Sequence, residues 1–386
     1  SDKLGGASIA MMRLHRSLKQ TGVDSKVLVG EKFNNDDDVF GPISSSEKKI
    51  IEFKIKLARQ KKYFYNFNGK FSHSLNLFKS KIISKIKKIQ PDIVNLHWIN
   101  NELISIEEIS KIDVPIVWTF NDMWPMCGGE HYSNDNRFIL GYNNVPKRDD
   151  ETGYDINKYI WKKKKKFWKS KIDHIVCISN WLKKKASESN LFKGHNISFI
   201  PCTLDYRDWL PANKKDARKF LNLPEDKIIL LFMSTNGAKD FRKGFKYIKP
   251  ILDNLFKHRN DIILLNIGKN NTGFIENNKI INIDKSFNGD PQSLKMYYSA
   301  VDCLLSPSIL EAFGQVAIEA ASCGVPAIGF KKTGLEDTII HKKTGYLSNY
   351  LDQEDFNFGL KWVIDQIRKD KFFFKNECQN FIINNF

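Results

Sequence analysis

From residue 228 onward, short runs of continuous apolar residues alternate with stretches whose apolar positions recur every three to four residues. "IILLFMS" (228–234), "DIILLNIG" (261–268), "VDCLLSPS" (301–308) and "VPAIGF" (325–330) have the length and content of buried strands. Between them, "KGFKYIKPILDNLF", "PQSLKMYYSA" and "FGQVAIEAAS" have the spacing of helices that bury one face. Apolar strands alternating with helices imply a parallel sheet covered on both sides.

The first half keeps this rhythm with longer insertions. "ASIAMMRLHRSLKQTG" predicts a helix closed by Gly22, and "SKVLVG" a strand. "PDIVNLHW" (91–98), "VPIVWTF" (114–120), "DHIVCIS" (173–179) and "NISFIP" (196–201) predict further strands. The strand pattern lapses near 202–225, so two doubly wound, Rossmann-like α/β domains are expected, residues 1–205 and 206–386. In such sheets ligands bind beyond the carboxyl ends of the strands, and a cleft between the domains is the default site. No strand pattern precedes the glycine turn in "KLGGAS", and the chain stops within the helical text "CQNFIINNF". The expectation is a chain short of a few residues at each end, the first domain lacking its opening strand.

Composition narrows the classes. A hydrophobic fraction of 41% excludes global disorder, and no apolar run approaches the roughly 20 residues that span a bilayer. The start has no basic segment followed by an apolar one, so it does not read as a signal peptide. Six scattered cysteines without a CxxC pair point to buried free thiols in a reducing cytoplasm rather than to disulfides or zinc. A net charge of +17 favours anionic partners: nucleic acid, acidic lipid headgroups or phosphorylated small molecules. "YIWKKKKKFWKS" (159–170) pairs Ile160 with Phe167 and Trp161 with Trp168 at a spacing of seven, giving one aromatic face flanked by lysines whose ammonium groups reach water. Such a helix packs on its domain or touches an anionic membrane surface, and "IIEFKIKLARQKKYFYNF" (50–67) has the same character. "DDD" (36–38) lies in polar text with no strand to place it in a cleft; it reads as a solvated loop, and no metal is expected.

The stretch "LEAFGQVAIEAASCGVP" (310–326) holds two glutamates, Glu311 and Glu319, among apolar and small residues. On one straight helix they would sit about 12 Å apart along the axis and nearly a quarter turn apart, too far to share a ligand. Gly314 suggests that the helix starts there, leaving Glu311 on the preceding loop and Glu319 one turn inside; Gly324 and Pro326 end it. The amides of Phe313, Gly314 and Gln315 would then form a phosphate-binding helix N-terminus with a carboxylate on either side for hydroxyls. A nucleotide-sugar fits this arrangement. Lys243 in "RKG" (242–244) would add an ammonium where charge grows on a departing diphosphate.

"PSILEAFGQVAIEAASCGVPAIGFKKTGLEDTIIHKKTGYL" resembles the nucleotide-sugar site of family-four retaining glycosyltransferases of GT-B fold. "TFNDMWPMCGGEHYS", "HIVCISNWLKKKA", "ISFIPCTLD" and "FRKGFKYI" resemble a subgroup that builds bacterial capsule, exopolysaccharide and lipopolysaccharide glycans. The resemblance implies sugar transfer from a nucleoside diphosphate sugar to a growing, lipid-linked glycan, by front-face attack; no metal or other cofactor is expected. Such an enzyme would be cytoplasmic, peripheral on the inner face of the membrane. Glu311 would hold the donor sugar and Glu319 the ribose, with Lys243 on the diphosphate. Gly5 and Gly6 would approach the diphosphate and acceptor. Many relatives carry an Arg near the position of Gly237; it is absent, and Lys239 or Arg242 is left to substitute. "KTGLED" (332–337) would close the sugar side of the pocket. His97 is expected at the end of its strand facing the cleft. Asn121 and Asp122 stand where members often have a His, and His131 matches the subgroup; each is a cleft or acceptor candidate. Two rivals stay open: a nucleic-acid-binding protein, which rests on charge alone, and a non-catalytic GT-B scaffold, suggested by Asn121 and the missing Arg.

Overall fold

The computed structural model describes residues 1–3, 5–42, 44–60, 65–66, 71–269, 278–283 and 291–386. Leu4 of the "KLGGAS" turn, and residues 61–64 and 67 of the 50–67 segment, lie outside them. The chain divides into two compact units, Ser1–Pro201 and Cys202–Phe386.

The strands of the first unit are β1 (Val27–Leu28), β2 (Val39–Phe40), β3 (Tyr65–Asn66), β4 (Val94–Leu96), β5 (Ile116–Phe120), β6 (Thr152–Gly153), β7 (His174–Cys177) and β8 (Ile197–Phe199). Four form a parallel sheet in the order β4-β5-β7-β8, while β1 with β2 and β3 with β6 make separate two-stranded pairs. The run "SKVLVG" thus contributes a two-residue strand, Val27–Leu28, paired to a strand the polar text around Val39 did not announce. Helix Gly6–Gln20 opens the unit, and its last turn is closed through Thr21 and Gly22, whose backbone is left-handed. Trp118, Phe120, Trp124, Trp168 and Phe192 form an aromatic core beneath the sheet.

Helix Ile156–Trp168 departs from expectation at one position. Its buried residues are Ile156, Asn157, Ile160, Trp161, Lys164 and Trp168, a spacing that takes in a lysine; Phe167 is only partly covered. Lys164 does not extend to water: its side chain is 0% exposed. It lies one turn from both Ile160 and Trp168, and the polar loop beneath it supplies acceptors.

In the second unit β9 (Ile228–Met233), β10 (Ile262–Ile267), β11 (Ile280–Ile283), β12 (Cys303–Ser306), β13 (Ala327–Phe330) and β14 (Gly345–Ser348) form one parallel sheet. Its order is β11-β10-β9-β12-β13-β14, the 3-2-1-4-5-6 sequence of a dinucleotide-type doubly wound sheet. Four of these strands are continuous apolar runs; β11 and β14 were not apparent from the pattern, being short, with polar or glycine residues at or beside their ends. The order reverses between β9 and β12, where a doubly wound sheet opens a crevice at its carboxyl edge. The loop leaving β9 carries Lys243 and the loop leaving β12 carries Glu311. Topology alone therefore brings together residues 68 positions apart.

Candidate functional site

Gly244 allows the β9 loop to reach its partner. A short 3-10 turn, Phe241–Lys243, is capped by Asp240 and ends at Gly244 with φ 67°. A Cβ on Gly244 would lie 1.9 Å from the Pro307 carbonyl oxygen, so only glycine permits this approach. Two hydrogen bonds then lace the loops: the Ile309 amide donates to the Arg242 carbonyl at 2.9 Å, and the Arg242 guanidinium donates to the Leu310 carbonyl at 3.1 Å.

Glu311 sits where they meet, 8% exposed. Lys243 Nζ donates to its Oε2 at 2.6 Å, Ser308 Oγ to the same oxygen at 3.1 Å, and Arg242 lies 3.5 Å away. Burial pushes this carboxyl up, but Lys243 and Arg242 outweigh burial and hold its pKa at about 2. The side chain is therefore a permanent carboxylate near neutrality. It accepts hydrogen bonds and has no proton to give, which disqualifies it as a general acid.

Beyond Glu311 the chain turns into helix Gln315–Ser322, with Gly314 as N-cap at φ 100°. A Cβ there would lie 2.6 Å from Leu335, so the glycine serves both the left-handed backbone and the packing of the turn Gly334–Asp337. That turn is capped by Thr333, and the Gly334 amide donates to the Glu311 carbonyl at 2.8 Å. Phe313 is buried with its ring against Phe386, and Gln315 Nε2 lies 3.8 Å from Cys202 Sγ. Glu319 is also buried and accepts from the Tyr298 hydroxyl at 3.1 Å. The helix N-terminus, Lys243 and Arg242 thus put positive charge around one ionised carboxylate at the strand-order reversal. Lys239 ends a separate 3-10 turn that begins at Gly237. Of the two substitutes considered for the missing Arg, Arg242 is the one at the Glu311 carboxylate.

The first unit holds a second polar constellation. Asp122 Oδ2 lies 2.6 Å from His131 Nδ1, and His131 Nε2 lies 2.8 Å from Ser74 Oγ. Asp122 also accepts from the Trp98 indole at 3.0 Å and from the Trp124 amide at 2.9 Å; the Trp98 ring stacks on His131. Asn121 donates to the Thr119 carbonyl at 3.0 Å and belongs to the strand end rather than to this network. His97 directly follows β4; burial pushes its imidazole down to about 4, so it is neutral at ordinary pH. Gly5, with φ 89°, caps helix Gly6–Gln20, and a Cβ there would meet nothing within 4 Å. Lys164 secures the loop beneath: its ammonium donates to the carbonyls of Trp124, Cys127 (3.1 Å) and Gly128 (2.6 Å), and lies 3.6 Å from the Trp124 ring centroid. Burial pushes its pKa down to about 7.

Sequence reasoning passed over Ser308, Tyr298, Ser74, Trp98 and Lys164. Lys164 alone left a readable signal, its place on the apolar face. Among the described residues, no group of three or more His, Cys, Asp or Glu side chains could hold a metal ion. The six cysteines are all buried.

The chain matches the family described as Glycosyltransferase Family 4 over residues 4–207, more than half its length. It belongs to that family. Residues 213–380 of this family-4 chain match a second description, Glycosyl transferases group 1. An uncharacterized protein from the cps region of Klebsiella pneumoniae is 26% identical over 84% of this chain and 83% of its own length. An uncharacterized glycosyltransferase of Methanocaldococcus jannaschii is 22% identical over 67% of this chain; the match spans only 60% of that relative. The fold is that of solved GT-B glycosyltransferases. Sucrose-phosphate synthase from Thermosynechococcus elongatus superposes with a TM-score of 0.65 at 18% identity, covering 99% of this chain and 90% of its own. HepE of Anabaena, solved in complex with UDP and glucose, gives 0.62 at 13%, covering 100% and 93%.

Proposed function

We propose that the protein is a retaining glycosyltransferase that moves a sugar, of hexose type, from a nucleoside diphosphate sugar to a growing lipid-linked cell-surface glycan. The observation that carries this is the placement of Glu311: an ionised carboxylate held by Lys243 beside a helix N-terminus, where the strand order of the second unit reverses. Family membership, a relative from a cps region and a fold shared with a protein solved with UDP and glucose support it.

The second unit would bind the donor. Lys243, Arg242 and the amides of Phe313, Gly314 and Gln315 would take the diphosphate, whose negative charge grows as the glycosidic bond breaks. Glu311 would accept from hydroxyls of the donor sugar, and Glu319, beside Tyr298, from the ribose. In front-face attack the acceptor oxygen bonds to the anomeric carbon as the carbon–phosphate oxygen bond breaks, and the hydroxyl proton passes to the departing diphosphate. Two side-chain cations and a helix terminus supply the positive charge, so the reaction asks for no metal or other cofactor. The first unit would bind the acceptor, with Asp122 and His131 among the binding residues. Gly5, Gly6, His97 and Asn121 are assigned to the same chemistry on the family resemblance.

No helix among the described residues is long and apolar enough to cross a membrane. A lipid-linked acceptor would be met by the basic surface, for instance the exposed lysines Lys162, Lys165 and Lys166, placing the enzyme at the inner face of the membrane. The test is thermal stabilisation by a panel of UDP-, GDP- and ADP-sugars. A donor at 100 times its Kd adds roughly 2.7 kcal/mol. Stabilisation by one nucleotide class supports the assignment; no stabilisation by any, together with salt-sensitive nucleic-acid binding, would overturn it.

A further inference from the structure

Lys243 and Arg242, the side-chain cations at the strand-order reversal, are already held by acids of this chain. Lys243 Nζ donates to Glu311 Oε2 at 2.6 Å, and Arg242 lies 3.5 Å from the same oxygen and 3.7 Å from Asp240. Ser308 Oγ donates to Oε2 as well, at 3.1 Å. One carboxylate oxygen therefore stands among the groups that a phosphate oxygen would engage. The ammonium has room to leave it: the Lys243 side chain is 16% exposed and that of Glu311 11%, so the pair borders solvent. The backbone has none. The Ile309 amide holds the Arg242 carbonyl at 2.9 Å, and Gly244 packs on the Pro307 carbonyl. A phosphate can thus draw the lysine side chain from Glu311 while the loop stays in place.

The free energy of that exchange depends on the ligand. Glu311 is buried and ionised near neutrality. Once Lys243 turns to a phosphate, the carboxylate keeps the Ser308 hydroxyl and the more distant Arg242, and it faces a new negative charge. A buried carboxylate that loses a charged hydrogen-bond partner is strongly destabilised. A free diphosphate is a chain of acceptor oxygens and offers that carboxylate no comparable donor. A sugar on the diphosphate brings hydroxyl donors to the place the ammonium left, and the carboxylate is satisfied again.

We infer that Glu311 is a specificity-determining residue that competes with phosphate for Lys243, so that the second unit favours an intact nucleoside diphosphate sugar over the nucleoside diphosphate left after transfer. The inference rests on the donor reading and goes past it, because contacts to the diphosphate alone do not separate donor from product. When the sugar departs with its hydroxyls, Glu311 recaptures Lys243 and the diphosphate is released.

Calorimetric titration of the full chain with inorganic pyrophosphate, which carries neither base nor sugar, reads the competition directly. Wild type, Glu311→Gln, Lys243→Ala and the double variant form a cycle. Pyrophosphate should bind Glu311→Gln about tenfold or more tightly than wild type, and the gain should fall below about twofold in the Lys243→Ala background. If Glu311→Gln does not fold, Glu311→Asp, which shortens the reach to Lys243 by one methylene, carries the comparison in the same direction. Equal affinity in wild type and Glu311→Gln would overturn the inference alone. So would a gain kept in full on Lys243→Ala, since mere removal of a nearby negative charge gives that result. Pyrophosphate that binds none of the four proteins would overturn it together with the donor assignment.

Discussion

Lys243 and Glu311 lie 2.6 Å apart although 68 residues separate them, because the loops that carry them leave adjacent strands where the sheet reverses its order. The carboxylate fixes the ammonium, and the ammonium keeps the carboxylate ionised.

Acid should therefore weaken the second unit through Glu311. Its pKa falls from 4.5 to about 2 on folding, so its stabilisation is complete above pH 4.5 and is lost as the pH drops toward 2. The stabilisation is on the order of 3 kcal/mol. In urea unfolding, the gap between the wild type and Glu311→Gln should shrink steadily from pH 5 to pH 3; a gap independent of pH would contradict the ion-pair account.

Gly244→Ala tests how the loops meet. The added methyl would collide with the Pro307 carbonyl and adopt a left-handed backbone, so the β9 loop must withdraw from Glu311. A loss of about 2 kcal/mol or more is expected. A larger fall in donor affinity than in overall melting temperature would follow from displacement of Lys243; the unchanged affinity of a stably folded variant would argue against it.

Lys164→Met should destabilise the first unit by about 2–4 kcal/mol, since it leaves the carbonyls of Trp124, Cys127 and Gly128 without their donor. The wild type has a second signature. With a folded pKa of about 7 against 10.5 unfolded, the cost of the buried ammonium is fully present below pH 7 and is relieved as pH rises toward 10.5. Stability of the wild type relative to Lys164→Met should therefore climb between pH 7 and pH 9, as read by denaturant midpoints.

His97 should titrate near pH 4 rather than 6.5, because burial disfavours its charged form. The imidazole resonances followed by NMR would show this midpoint. It follows that stability tied to this residue falls as pH drops from 6.5 to 4, and that a pH–rate inflection near 6.5 would not belong to His97.

The loop and helix around Glu311 were largely legible in the sequence because they are local. Gly314 marks a helix start, Gly324 and Pro326 its end, and Glu311 can only fall on the loop between strand and helix. The juxtaposition of Lys243 with Glu311 was not legible from spacing, since it depends on β9 and β12 being neighbours. Strands β11 and β14 escaped because each is only four residues long, with polar or glycine residues at or beside its ends. In the first unit the failure had another cause. Ser74, Trp98, Asp122 and His131 come from three separated segments, and no periodicity links a serine to a histidine 57 residues away. Lys164 shows the cost of reading charge before position: its place on the apolar face was visible, yet five consecutive lysines suggested a solvated surface.

The account turns on whether Lys243 and Glu311 handle the donor. The most direct measurement is the single-turnover rate of donor consumption, with the nucleotide-sugar found in the thermal panel, in wild type, Lys243→Ala and Glu311→Gln. The predicted result is a loss of about 10²–10³-fold in Lys243→Ala, the range for removing one transition-state charge contact, and a comparable loss in Glu311→Gln. Rates equal to wild type in two folded variants would contradict the assignment of this pair to the chemistry.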